Sequence, residues 1–134
     1  MASPKFPKPL VLEKIGDRLW KFHDDFWYYV GDPKNNDLVI CPAGMITDMS
    51  STPRLFWSIY PPDGKYLYGA APHDAIYFYQ TRTRKEADYI FWEAMKEIGV
   101  GVITRNLMFN AVRAFGWIPW NKRAKELNKT NKGE

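Results

Sequence analysis

Short apolar runs mark the first third of the chain, and the hydrophobic period then lengthens. Leu10-Val11-Leu12, Leu19-Trp20-Lys21-Phe22, Phe26-Trp27-Tyr28-Tyr29-Val30 and Leu38-Val39-Ile40-Cys41 are rich in aliphatic and aromatic side chains. Gly16-Asp17, His23-Asp24-Asp25 and residues 31–37 separate them with turn chemistry. The pattern predicts a small antiparallel sheet of three or four strands. Further on, Ala87, Ile90, Phe91, Ala94, Met95 and Ile98 recur three and four apart, which predicts an amphipathic helix over 84–98. Residues 102–115 predict another helix, apolar over most of its surface and therefore packed among other elements. Proline is not tolerated mid-helix without a kink, so a shorter helix is expected to begin at Pro72 and end near Gln80. Trp117-Ile118-Pro119-Trp120 is expected to break the helical pattern. The resulting fold class is α+β, a small antiparallel sheet from the N-terminal third packed against three C-terminal helices.

Between these patterns lies a stretch of small polar residues. Thr47, Asp48, Ser50 and Ser51 are placed to line a cleft, with Arg54 as an anion site. They are equally suited to capping a turn and pairing with one another. Ser51 or Thr52 is a suitable cap for a short helix with Pro53 first and Arg54 to Trp57 following, before a turn at residues 61–64.

Composition narrows the picture. A chain of 134 residues is expected to form one domain, and 46% hydrophobic with 16% aromatic residues excludes a disordered chain. The longest unbroken apolar runs are five residues, against about 20 for a membrane span. With no leader-like N-terminal segment, a soluble product of a cytoplasm is expected. The net charge of +4 sits at the ends: residues 121–134 carry a net +3 and residues 1–9 a net +2, leaving −1 for the body. Residues 1–9, with three prolines, are expected to be a loosely held arm, and residues 121–134 a solvated basic tail. Nucleic acid is therefore not the expected partner. The single cysteine, Cys41, excludes an internal disulfide, and two histidines are too few for a His-rich metal site.

The chemistry concentrates at Ala70-Ala71-Pro72-His73-Asp74-Ala75-Ile76-Tyr77 and at Asp88. Asp88 falls at the edge of the apolar stripe of its helix, whereas Glu86, Glu93 and Glu97 fall on the polar face. A carboxylate drawn toward the core needs a partner. His73 and Tyr77, four apart on the preceding helix, share a face and can supply one. If Asp88 accepts a hydrogen bond from one nitrogen of His73, the other nitrogen is fixed as a base. The same residues can serve only to fix packing. Asp74, near the expected helix start, also suits the helix dipole.

Taken in order, Gly44-x-x-Thr47-Asp48-x-x-Ser51-x-Pro53-Arg54, Pro62-x-Gly64, Ala70-Ala71-x-His73-Asp74-x-x-Tyr77, Ala87-Asp88, Glu93-Ala94-Met95 and Ala111-Val112-Arg113 resemble a phage and prophage family. That family is catalogued as domain of unknown function 1353, and the resemblance spans roughly residues 10–120. It implies a phage or prophage origin, with a place in the host cytoplasm or the virion, and no settled activity. A local resemblance links His73-Asp74-x-x-Tyr77 and Asp88 to the His-Asp-x-x-Tyr helix and distal aspartate of phospholipase A2 enzymes. It implies His73 as the base that deprotonates water, Asp88 as its orienting partner, Tyr77 steadying Asp88, and Asp74 holding calcium. The glycine-rich calcium loop of those enzymes is missing, so no cofactor is expected. The functional expectation is a small hydrolase acting on lipid or cell-wall material through His73, Asp88 and Tyr77. Asp74, Asp48, Ser51 and Arg54 would then hold substrate or a cation. The alternatives are a non-catalytic virion, assembly or host-interaction protein with a Trp-rich surface, and, last, a nucleic-acid accessory factor.

Overall fold

The computed structural model describes residues 3–52 and 65–131. The short helix expected over 53–57, the turn at 61–64 and Arg54 lie outside the described residues. The fold is α+β: strands fill the N-terminal part and helices the C-terminal part. The strands form two small sheets instead of one. In the first, β1 (Leu12–Gly16) pairs antiparallel with β2 (Leu19–Phe22), which pairs in turn with β5 (Ile46–Thr47). In the second, β3 (Phe26–Tyr29) pairs antiparallel with β4 (Leu38–Cys41), from Phe26 opposite Cys41 to Tyr29 opposite Leu38. The turn between β3 and β4 is held by the Asp32 side chain, which accepts from the Lys34 N–H, and by Asn36 at φ 54°.

Four helices follow among the described residues: α1 (Lys65–Tyr79), α2 (Arg84–Glu97), α3 (Val102–Phe115) and α4 (Trp117–Asn131). Helix α2 opens on a capping box, in which Thr83 Oγ1 accepts from the Glu86 N–H at 3.1 Å. Helix α1 is the central element, and every residue from 69 to 77 is buried. It packs on α2, on β4 and on α4.

Three expectations are corrected. Helix α1 begins at Lys65 and carries Pro72 inside it, so His73 and Asp74 lie in mid-helix and not at a helix start. Proline leaves the carbonyl one turn back without its usual N–H partner. Packing on every side sustains the helix through that loss. The N-terminal arm is not loose: Phe6 is buried against the rings of Phe26, Tyr28 and Tyr68, and Lys5 pairs with Glu93 at 2.6 Å. Residues 117–120 start a helix instead of ending one, so residues 121–131 of the expected basic tail are helical. Pro119 falls in the first turn of α4, where its missing N–H removes no helical bond. No helix among the described residues is long and apolar enough to cross a membrane.

Candidate active site

His73 projects from α1 between the rings of Tyr77 and Phe91, at centroid distances of 4.3 and 4.8 Å, and is fully buried. Its Nε2 lies 2.7 Å from Asp88 Oδ1, and the Tyr77 hydroxyl donates to the same oxygen at 2.7 Å. The other oxygen, Asp88 Oδ2, accepts from Arg113 Nη1 at 2.8 Å and from Arg84 Nη1 at 3.3 Å. Arg84 also donates to the carbonyls of Val112 and Arg113 near the end of α3, tying α2 to α3. Burial alone would raise the Asp88 pKa, but the hydrogen bond and charge of His73, with Tyr77 and Arg113, hold it below the usual carboxylate value. An ionised Asp88 can only accept, so the Nε2 proton belongs to His73. Its Nδ1 then faces the other way.

Nδ1 lies 3.1 Å from Ser51 Oγ, in the loop after β5. The same hydroxyl bonds Asp74 Oδ1 at 2.9 Å, and Thr47 Oγ1 donates to Asp74 Oδ2. Asp74 thus has hydroxyl partners where Asp88 has two arginines. Burial raises the Asp74 pKa by more than Thr47 and Ser51 lower it. Two proton placements satisfy this chain of groups. In one, an ionised Asp74 accepts from Ser51, which accepts from a doubly protonated His73. In the other, a neutral Asp74 donates to Ser51, which donates to Nδ1 of a neutral His73. They hold the same number of protons and interconvert through Ser51 Oγ.

A cleft of about 260 Å³ opens against this chain. Asp48, Ser51, Asp74 and Tyr77 line one side, and Lys122 and Arg123 of α4 line the other. His73 is not among the residues that line it; its Nδ1 lies behind Ser51 Oγ. A larger hollow of about 580 Å³, lined in part by Ile40, Tyr79 and Arg82, contains none of these residues.

Of the residues singled out in the sequence, His73, Asp88, Tyr77, Asp74 and Ser51 are brought together in one buried network. Asp48 is exposed at the cleft and its Oδ1 accepts from the Ser50 N–H, which shapes the loop. Each carboxylate oxygen of Asp74 takes a hydroxyl, Oδ2 from Thr47 and Oδ1 from Ser51. Among the described residues, no group of three or more His, Cys, Asp or Glu side chains is placed to hold a metal. Cys41 is buried with Sγ 3.5 Å from the Ala71 carbonyl, and burial pushes its thiol pKa well up, the state of a packed hydrophobe. Sequence reasoning missed Arg84, Arg113 and the α4 wall. Arg84 had a signal, lying four residues before Asp88, and Arg113 stood in the Ala111-Val112-Arg113 run of the family resemblance; Lys122 had none, being brought in from a distant helix.

A small α+β domain with a polar network converging on one buried histidine is thus the class this geometry defines. The chain belongs to the family described as "Protein of unknown function (DUF1353)", whose model matches residues 20–112. The match contains Ser51, His73, Asp74, Tyr77 and Asp88, whereas α4 lies beyond it. Comparison with curated proteins and with solved structures gave no match.

Proposed function

We propose that this chain is a phage- or prophage-encoded hydrolase in which Ser51 is the nucleophile, His73 its base and Asp88 the group that orients and supports His73. One observation carries this reading: Ser51 Oγ, His73 and Asp88 Oδ1 form a hydrogen-bonded series of 3.1 and 2.7 Å that ends at a cleft. Such a series is the arrangement that activates a hydroxyl for acyl transfer. Ser51 Oγ attacks the substrate carbonyl carbon and its proton passes to His73 Nδ1. The leaving alcohol takes a proton from neutral Asp74, which lines the cleft, as the carbon–oxygen bond breaks. Water then attacks the acyl-serine, giving its proton to Asp74, and the acid is released as Ser51 Oγ takes its own proton back from Nδ1. Asp88 keeps Nε2–H in place throughout, and Asp74 hands its hydrogen bond to or from Ser51 as charge moves. Ester-linked lipid or cell-wall material fits a cleft with hydroxyls on one side and basic groups on the other.

A fluorophosphonate probe tests this without a known substrate. The expected result is a covalent adduct at Ser51, absent in Ser51→Ala and reduced at least about a hundredfold in His73→Ala, in line with the worth of a positioned base. No adduct on the folded wild-type chain, together with no turnover of acyl esters, would sink the reading.

A second reading, a non-catalytic virion, assembly or host-interaction protein, draws on a different observation. Ile103, Leu107, Phe115, Trp117 and Ile118 are all more than half exposed. Such a cluster marks a contact surface.

A further inference from the structure

Helix α3 is apolar at nine of its fourteen positions, yet only Met108 and Val112 of its residues are buried. Gly116 joins it to α4. It has helical backbone angles (φ −64°, ψ −19°), its N–H bonds the Val112 carbonyl, and its carbonyl accepts the Trp120 N–H. Helix α4 thus starts after the single residue Gly116. At about 100° per residue, Ile103, Leu107 and Ala114 share one face of α3, and Ile118 and Lys125 share one face of α4. Ile103 is 82% exposed and Ile118 54%. Lys122 and Lys129, both exposed, flank the stripe. The outer face is thus apolar along α3, aromatic at Trp117 and basic along α4.

We infer that this face docks the protein onto an anionic lipid surface. An exposed apolar stripe bordered by lysines, with an exposed tryptophan where the two meet, is the pattern that seats a helix at a membrane interface. Charge selects the occupant. The only acid on α3 or α4 is Glu126, already paired with Arg123 at 3.2 Å, so a second copy of this chain offers the lysines no counter-charge. A surface of anionic headgroups offers many. Lys122 lines both the catalytic cleft and the shallow hollow it shares with Trp117, Ile118 and Lys125. Docking through this face sets the cleft rim at the headgroups. The further step, that the lipid is also the substrate, rests on the hydrolase reading above.

Co-sedimentation of the full chain with vesicles tests the docking by itself. Binding is expected with phosphatidylcholine vesicles containing phosphatidylglycerol, weakening as salt is raised, and only weakly with phosphatidylcholine alone. Two double variants, Ile103→Glu with Leu107→Glu and Lys125→Glu with Lys129→Glu, should each lose about tenfold or more in affinity. All four positions are exposed, and unchanged circular dichroism would establish that the variants fold. Ser51→Ala should bind as wild type does, which keeps failure of docking apart from failure of catalysis. Equal binding to both vesicle types, no binding to either, or indifference to both double variants would overturn the inference. So would a dimer broken by Ile103→Glu in a chain that ignores vesicles, which would assign the face to a second copy.

Discussion

Two buried carboxylates flank His73, and the protein treats them in opposite ways. On the α2–α3 side, Asp88 receives two arginines, a tyrosine and the imidazole, and its pKa falls. On the β5-loop side, Asp74 receives two hydroxyls, and burial wins, so its pKa rises. The comparison teaches that depth does not set the charge of a buried acid. The partners decide it: the hydrogen bond and charge of His73, with Tyr77 and Arg113, outweigh burial at Asp88, whereas the Thr47 and Ser51 hydroxyls do not outweigh it at Asp74. One side of His73 is a fixed anion that holds a proton in place. The other is an acid able to take up or release one, and it is the side that meets the cleft.

Asp88→Asn should have the largest effect. It leaves Arg84 and Arg113 facing a neutral amide, and breaking a buried charged pair costs about 3–5 kcal/mol. Denaturant melts measure this, and a loss below about 1 kcal/mol would show that the arginines find other partners. His73→Ala ranks next. A partly exposed base would be lost cheaply, but this one is wholly buried, so its removal takes one partner each from Ser51 Oγ and Asp88 Oδ1 and leaves a gap between Tyr77 and Phe91. About 2–3 kcal/mol is expected from the loss of a buried hydrogen bond to a charged group.

Gly116→Ala should follow. A Cβ there would collide with the Tyr77 hydroxyl and with the Val112 carbonyl, and press on Arg84. A loss of about 1–3 kcal/mol is expected from overpacking. Tyr77→Phe in the same chain should restore only part of it, because the collision with the Val112 backbone remains; full restoration would assign the loss to the hydroxyl alone.

The smallest stability change is expected for Asp74→Asn, about 1 kcal/mol or less, since a group already pushed toward neutrality loses little charge. Its effect appears in the pH dependence. A lowered folded-state pKa makes the Asp88 contribution present above the ordinary carboxylate value of about 3.9 and lost as pH falls through the folded value. A raised one works the other way: with Asp74, stability is fully present below that ordinary value and declines as pH rises through the folded value. Asp74→Asn should therefore flatten the decline toward higher pH, and Asp88→Asn should flatten the loss at acid pH. Melts across pH 2–8 compare the two, and the same limb changing in both variants would erase the distinction between the two sides.

Much of this site was legible locally. Asp88 stood out because a carboxylate at the edge of an apolar stripe demands a donor, and the four-residue spacing of His73 and Tyr77 offered two on one face. The Ser51 loop was legible only as polar. Its hydroxyl has no sequence relation to Nδ1 of His73, 22 residues away, until β5 is paired to β2 and carries the loop onto α1. The start of α1 was misplaced for a related reason. Pro72 argues locally against a helix passing through it, and only burial on all sides overrides that argument.

The α+β class, the capped amphipathic α2 and the need of Asp88 for a partner were set by the sequence alone, because short-range periodicity and the cost of burying a charge act along the chain. Tertiary structure alone decided which way the two nitrogens of His73 point, that Asp74 has hydroxyls in place of arginines, and that the basic C-terminal residues form a cleft wall. Each depends on groups brought within hydrogen-bond reach from separate elements, and local propensity carries no record of those distances.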